Sequence, residues 1–510
     1  MGKLLLGIDV GTSGTKTVLC ADDGALLASK TADYPLSQPQ NGWAEQNPED
    51  WWQAVLEGIR CVLKKSKEDP RQIAAIGLTG QMHGLVMLDR DGAVLRPAIL
   101  WCDQRTEREC RRMEELAGRE RILEITGSPA MTGFTASKIL WVKAHEPALY
   151  ERCAHILLPK DYIRYRLTGE FATDVSDASG MQLLDIRARR WSEELLSRFD
   201  IDPALLPDLY ESAQESGRVS RKAADETGLV PGAIVAGGAA DNAAAAVSAG
   251  VVKEGKAFTT IGSSAVIYAI SDTVKVDPKG RVHGLCAAAP GKWSVMSCTQ
   301  AAGLSLKWLR DTCCAPETEQ AQREGVDVYA LMDKLAEQVP VGAGKLIYLP
   351  YLMGERSPHP DPHCRGVFFG LSAMHTRAHL IRAVMEGVAF SQLSCLDVLR
   401  ELELPVGEMT VCGGGAKSRL WREMLTDLYG CPTDISLSDQ GAAWGAALLA
   451  AVSAGVYQSV EQAVQATAQS GQVLFPGQGR HARYLPYYRL YQKLYDQLHD
   501  SFAVLAGIEG

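Results

Sequence analysis

The chain has no dense run of lysine and arginine, no CxxC pair, no metal-ligand spacing of cysteines and no low-complexity linker. Each absence removes a class of function. With 52 basic against 61 acidic residues and a formal net charge of −9, no surface suited to a polyanion is expected, which argues against nucleic acid as a partner. Thirteen cysteines are scattered in an odd set, and the adjacent Cys313 and Cys314 form no framework, so thiols in a reducing cytoplasm are expected rather than disulfides. The most apolar stretch, residues 229–252, is broken by Pro231, Asp241 and Asn242 and is mostly Gly and Ala, a poor bilayer span. The chain passes from Met1 straight into a strand pattern, so a cytoplasmic protein with no leader and no membrane segment is expected.

At 510 residues the chain is too long for one core, and two large domains with a cleft between them are expected. The most informative stretch is residues 4–20, LLLGIDVGTSGTKTVLC. An apolar strand ends on Asp9, a turn rich in Gly, Ser and Thr carries Lys16, and a second apolar strand follows. A P-loop or dinucleotide fingerprint would place its glycines where a strand meets a helix. Here Thr17, Val18 and Leu19 resume the β pattern, and Asp22, Asp23 and Gly24 supply hairpin chemistry. Gly11 and Gly14 let backbone N–H groups approach an anion, Thr12, Ser13 and Thr15 offer hydroxyls, and Asp9 suits Mg²⁺ held through water. Taken alone, the stretch also fits an ordinary Gly-rich hairpin.

Asn47, Pro48, Glu49 and Asp50 read as an N-cap, a first-turn Pro and early acidic residues. The helix they start repeats Trp52, Val55, Leu56, Ile59 and Leu63 at helical spacing, so Trp51 and Trp52 belong to a core. Residues 73–79 form a buried strand that delivers Gly80, Gln81, Met82, His83 and Gly84 into a loop. After a mostly helical middle third, residues 231–250 read as a strand, a Gly-Gly turn and an Ala-rich helix whose first turn carries Asp241 and Asn242. Residues 257–270 then repeat the strand, polar turn and strand plan of residues 4–20, which suggests an internal duplication with a second domain from about residue 250. Residues 409–418 run a strand into three glycines, the small-residue helix 441–452 suits close packing, and 487–505 is an amphipathic tail helix.

Three Gly-rich turns, 11–14, 262–264 and 413–415, each follow an apolar strand, and their repetition suggests a nucleotide held by both halves. Asp241 is either a helix N-terminal acid or the general base that takes a proton from a substrate hydroxyl, as phosphoryl transfer requires. A helix-lowered pKa would make it a weak base. Met82 and His83 lie where ligand contacts are common in α/β domains. Glu355 and Arg356 either pair with each other as structure, the favoured reading, or lie near the cleft, while His379, Arg382 and Glu386 share one helix face and read as an ion-pair face.

These residues resemble the FGGY carbohydrate kinases, a branch of the superfamily of sugar kinases, actin and heat-shock chaperone ATPases. GFTASKILWVKAH at 133–145 matches one family signature except at Ala144, where a polar residue is usual. GVFFGL at 366–371, with His379, Leu380, Ala383, Glu386 and Gly387, matches the second. GQMHG at 80–84, ILWCDQRT at 99–106, LLPKDYIRYRLTGEFATDVSDASG at 157–180 and GGAADNAAAA at 237–246 look most like the xylulose kinases within it. The resemblance implies a proton acceptor at Asp241, sugar contacts at Met82, His83, Asp241 and Asn242, and Mg²⁺ organised by Asp9. It also implies ATP phosphates at Gly11, Thr12, Ser13, Thr15, Lys16, Gly262 and Ser263, with Gly303, Lys307, Gly414 and Gly415 near the adenosine end. Ala265 departs from relatives that carry Gly there, losing the freedom to take φ > 0.

The expected architecture is α/β, with two ribonuclease H-like (actin-like ATPase superfamily) domains, 1–249 and 250–510 with its C-terminal helix, and an interdomain catalytic cleft. The expected reaction is transfer of phosphate from ATP to D-xylulose, with Mg²⁺. The rivals are an FGGY kinase for another ketose, a sugar acid or a polyol, and an actin-like assembly protein. The resemblance leaves a homodimer open.

Overall fold

A computed structural model of the chain describes residues 2–435, 440–468 and 471–508. The backbone gathers into two compact units: Met1–Lys253 with Ile270–Ser294 and Ser438–Gln469, and Glu254–Ala269 with Val295–Leu437 and Ser470–Gly510. Among the described residues no helix is long and apolar enough to cross a membrane.

The first unit opens with β1 (Leu4–Val10), β2 (Gly14–Ala21) and β3 (Leu26–Asp33), followed by α1 (Pro48–Ser66) and β4 (Ile73–Gly80). Later come β5 (Glu215–Arg218), β6 (Ile234–Ala236), β7 (Ala239–Ala240) and α2 (Asp241–Ser248). The sheet runs β5-β6-β4-β1-β2-β3, and β7 also pairs with β4. Helix α1 forms as its sequence dictates: the Asn47 side chain accepts the Glu49 N–H at 3.2 Å, and Pro48 stands in the first turn, where a missing N–H does no harm. Its apolar stripe, Trp51, Trp52, Val55, Ile59 and Val62, is wholly buried, each large side chain contributing about 2 kcal/mol of burial.

The opposite face of this sheet is covered by the small-residue helix, which spans Gly441–Ser453. Gly7 and Gly77 pair across β1 and β4. A Cβ on Gly7 would lie 2.0 Å from the Ala443 carbonyl oxygen, and one on Gly77 would lie 1.8 Å from that of Ala446. A Cβ on Gly445 would lie 1.9 Å from the Ala244 carbonyl of α2. Sheet, covering helix and α2 therefore meet backbone to backbone, which ties α2 to β1 and β4 through the covering helix.

The second unit repeats the plan with β8 (Gly255–Ile261), β9 (Ala265–Ser271), β10 (Trp293–Thr299), α3 (Gly303–Cys313), α4 (Arg377–Glu401), β11 (Val406–Cys412) and β12 (Thr433–Ile435). The strands lie in the order β10-β9-β8-β11-β12. As β1 is antiparallel to β2 and parallel to β4, with β4 parallel to β6, so β8 is antiparallel to β9 and parallel to β11, with β11 parallel to β12. The duplication suggested by the two strand-turn-strand segments is thus a duplication of whole sheets.

Two pairings in this unit differ from the sequence reading. Arg382 and Glu386 do pair, at 2.7 Å, but the pair is buried, with Glu386 also accepting the Gly342 N–H and Arg382 donating to the Tyr484 hydroxyl. His379 takes no part in it and closes a capping box with Thr376 at the start of α4. The Glu355 carboxylate accepts the backbone N–H groups of Arg356 and Gln300, at 2.8 and 2.9 Å. Burial pushes its pKa up to about 8 against those bonds.

Candidate active site

Three parallel strands of the first unit end side by side. Val10 pairs with Gly80, and Gly80 pairs with Ala240. Parallel strands deliver the segments that follow them to one sheet edge. The glycine turn after β1, the loop after β4 and helix α2 after β7 therefore share that edge, although they lie far apart in sequence. One residue back, Asp9 is in register with Thr79, so their side chains leave the same sheet face. Asp9 Oδ1 and Thr79 Oγ1 are both buried without a hydrogen-bond partner.

The edge brings Met82, His83, Asp241 and Asn242 together. Asn242 Nδ2 lies 3.8 Å from Met82 Sδ. Asp241 Oδ1 accepts the Asn242 backbone N–H at 2.6 Å and its Nδ2 at 2.9 Å. His83 sits at φ 66, an uncommon conformation for a residue with a Cβ, and the surrounding contacts account for it. Its carbonyl accepts Lys138 Nζ at 2.8 Å and Thr135 Oγ1 at 3.0 Å, and its Nδ1 lies 2.9 Å from the Gly180 carbonyl. A carbonyl only accepts, so Nδ1 carries the hydrogen, and in the neutral ring Nε2 is the acceptor. A Cβ on Gly180 would lie 2.4 Å from that Nδ1, so only glycine fits there.

Lys138 is a residue that sequence reasoning did not single out. It is fully buried and donates to both the His83 and Gly133 carbonyls at 2.8 Å. Burial pushes its pKa down to about 7, against the nearby Asp103 charge. Lysine usually lies at the surface, so nothing in residue type alone points to this role.

The electrostatics of Asp241 reverse the expectation of a helix-lowered pKa. Burial first, and the Asp9 charge second, raise it to about 7, outweighing the two Asn242 hydrogen bonds. Burial likewise raises Asp9 to about 6, against the opposing charge of Lys16, its register partner in β2. The start of α2 favours a carboxylate, but desolvation beside a second carboxylate is the larger effect.

The turn between β1 and β2 is held from behind. The Gly11 carbonyl accepts the Tyr34 hydroxyl at 2.6 Å, and the Thr12 carbonyl accepts Gln46 Nε2 at 2.7 Å. Gln46 Oε1 in turn accepts Trp51 Nε1 and Gln81 Nε2. Gln46, Gln81 and Tyr34 are thus shaping residues that the sequence reading missed. Gln81, lying between a buried strand and Met82, carried the only local hint. Thr12 Oγ1 accepts the indole N–H of Trp101 at 2.9 Å. Ser13 is exposed at the tip, and Lys16 is half-buried. Thr15 departs from the expectation of an offered hydroxyl: it is fully buried, with its hydroxyl 3.4 Å from that of Tyr34.

In the second unit, Gly262, Ser263, Gly303, Gly414 and Gly415 come together around the end of β8. The Gly262 N–H donates to Ser264 O at 2.9 Å, as the Gly11 N–H donates to Gly14 O at 3.1 Å in the first turn. The Gly303 N–H, opening α3, donates to the Gly262 carbonyl at 2.8 Å, and a Cβ on Gly415 would lie 2.5 Å from Ile261 Cγ2. Lys307, one turn into α3, is exposed. Ala265 needs no positive φ: it begins β9 and pairs with Ile261.

Residues 4–248 match the N-terminal domain of the FGGY family of carbohydrate kinases, and residues 257–454 match its C-terminal domain. The chain is 38% identical over 498 residues to the xylulose kinase of Bacillus subtilis (strain 168), covering 98% of each chain. It is 32% identical over 451 residues to a gluconokinase of the same organism, covering 88% of this chain and 87% of the other. It superposes on the crystal structure of xylulose kinase from Rhodospirillum rubrum with a TM-score of 0.91 at 31% identity, over 98% of this chain and 100% of that one. The chain belongs to the FGGY family of carbohydrate kinases.

Proposed function

We propose that this chain is an ATP-dependent sugar kinase that converts D-xylulose to D-xylulose 5-phosphate. The observation that carries the reading is Asp241, a carboxylate whose pKa is held near neutrality beside Met82, His83 and Asn242. A general base works best when its pKa lies near the working pH. Asp241 accepts the proton of the attacking hydroxyl, His83 Nε2 and Asn242 Nδ2 bond neighbouring sugar hydroxyls, and Met82 supplies an apolar wall. The full-length likeness to a xylulose kinase supports the choice of sugar.

Mg²⁺ fits what Asp9 offers. The ion favours one or two carboxylates with water and phosphate oxygens, and Asp9 Oδ1 and Thr79 Oγ1 are neighbouring oxygens without protein partners. When bound, it neutralises charge on the phosphates. The turn from Gly11 to Lys16 contributes backbone N–H groups and the Lys16 ammonium toward phosphate, with Thr15 shaping it from within. In the second unit Gly262 and Ser263 serve the nucleotide's phosphates, and Gly303, Lys307, Gly414 and Gly415 its adenosine end. A cytoplasmic setting, where ATP is at hand, suits this chemistry.

An ADP-release assay across ketoses, gluconate and glycerol tests the proposal. D-xylulose is expected to give the highest kcat/KM. Asp241→Asn is expected to lower kcat by about 10²- to 10⁴-fold while ATP binding persists. If no sugar stimulates ADP release, the kinase reading fails. The gluconokinase relative favours gluconate as the second reading, and a preference for gluconate in the same panel would select it.

A further inference from the structure

The segment that presents Asp241 is gripped by a buried array of charged groups. Residues 236–240 are β7, the Gly237-Gly238 turn and the end of β6. Arg164, on the Pro159–Thr168 helix, donates through Nη1 to the Ala236 carbonyl at 2.7 Å and through Nη2 to the Gly237 carbonyl. The Gly238 N–H donates to the Ser212 carbonyl at 2.9 Å. The Ala240 N–H, one residue before Asp241, donates to Ser176 Oγ at 3.1 Å. Ser176 and Ser212 both donate their hydroxyls to Asp174 Oδ2, at 2.5 and 3.0 Å.

These contacts lead back to one ion cluster. Lys160 Nζ lies 2.6 Å from Asp161, 3.0 Å from Asp174 and 3.2 Å from Asp177, and Arg164 Nη2 lies 3.2 Å from Asp161. All five charged side chains are fully buried. Burial, with the neighbouring carboxylates and against Lys160, holds the Asp177 pKa well above the usual range. Buried ion pairs seldom yield net stability over an apolar replacement, but their hydrogen bonds are directional. The guanidinium fork spans two successive carbonyls, which a point charge would not do.

We propose that this array positions Asp241, with Ser176 and Arg164 as positioning residues that set where its carboxylate meets the acceptor hydroxyl. The inference rests on the reading of Asp241 as the general base. None of these side chains needs to touch substrate, because each acts through the backbone of residues 236–240. A reacting group displaced by about 1 Å loses about 10²-fold in rate, so losing one anchor should appear in kcat before it appears in binding.

The test uses the full-length enzyme and compares Ser176→Ala, Arg164→Lys and Asp241→Asn. For Ser176→Ala the expected result is a kcat for D-xylulose phosphorylation lower by about 10- to 100-fold. Calorimetric affinities for D-xylulose and ATP should stay within about twofold, while Tm falls by about 10 °C, since two buried hydrogen bonds are lost, one from the Ala240 N–H and one to the Asp174 carboxylate. Arg164→Lys, which keeps the charge but loses the fork, should show the same split and serves if Ser176→Ala is insoluble. If kcat stays near wild type in both variants while Asp241→Asn is inactive, positioning is overturned and the base assignment stands. If both affinities fall along with kcat, the array is only structural and the proposal is overturned. Near-normal turnover by Asp241→Asn overturns the base assignment itself.

Discussion

Asp241→Asn is expected to stabilise the protein at pH 8 while disabling it. In the fold Asp241 has its pKa raised from 3.8 to about 7, by burial first and by Asp9 second. Below about pH 3.8 the carboxyl is protonated in both folded and unfolded chains, and asparagine, which keeps an oxygen for the two Asn242 donors, changes little. Between 3.8 and about 7 the folded chain keeps a proton that the unfolded chain has lost, so stability falls as pH rises through this window. Above about pH 7 the loss is complete. Each pKa unit is about 1.4 kcal/mol, which sets an upper figure of about 4 kcal/mol. Asp241 keeps part of its surface in solvent and shares its repulsion with Asp9, so about 2 kcal/mol is the working figure. In a domain of this size that is a Tm gain of about 5 °C. Thermal scans of both proteins from pH 4.5 to 8.5, with EDTA and without nucleotide, check it. The gap should open as pH rises and level off near pH 8. A variant no more stable than wild type at pH 8, or a gap independent of pH, would contradict a carboxyl whose pKa is raised in the fold.

Two further outcomes follow from the packing and the site. Gly77→Ala places a Cβ where the Ala446 carbonyl lies 1.8 Å away, so the covering helix must lift from the sheet, at a cost of about 3 kcal/mol or more. Thermal melts should show a Tm loss of about 6 °C or more, and a Tm unchanged within error would contradict the close approach. His83→Ala should raise the sugar KM about tenfold, the worth of a lost hydrogen bond of about 1.4 kcal/mol, with the ATP KM unmoved. A change confined to ATP would remove His83 from the sugar side.

Much of the frame was legible because its signals are local. The cap and stripe of α1, the two strand-turn-strand segments and the glycines and alanines of 441–452 each follow from residues that are neighbours in sequence. The close contact of Gly7, Gly77 and Gly445 with backbone carbonyls shows what the small residues are for. The spacing of His379, Arg382 and Glu386 puts them on one helix face, yet His379 caps the helix and the ion pair is buried. Spacing along a helix says which residues are adjacent, but not which neighbour covers them.

Strand periodicity and cap chemistry are short-range, so residue order alone places a glycine turn after Asp9, opens a helix on Asp241 and carries Met82 and His83 out of a buried strand. What those residues become depends on how the strands pair. The parallel pairing of Val10, Gly80 and Ala240 brings three distant segments to one edge, and that juxtaposition raises Asp241 where its helix position alone would lower it. Burial of Lys138 behind His83, and of Lys160 and Arg164 behind residues 236–240, belongs to the same level. Desolvation and charge depend on what surrounds a group in space, and that includes segments remote in the chain, such as Asp9 for Asp241 and residues 236–240 for Arg164, beside near neighbours such as Asp161 next to Lys160.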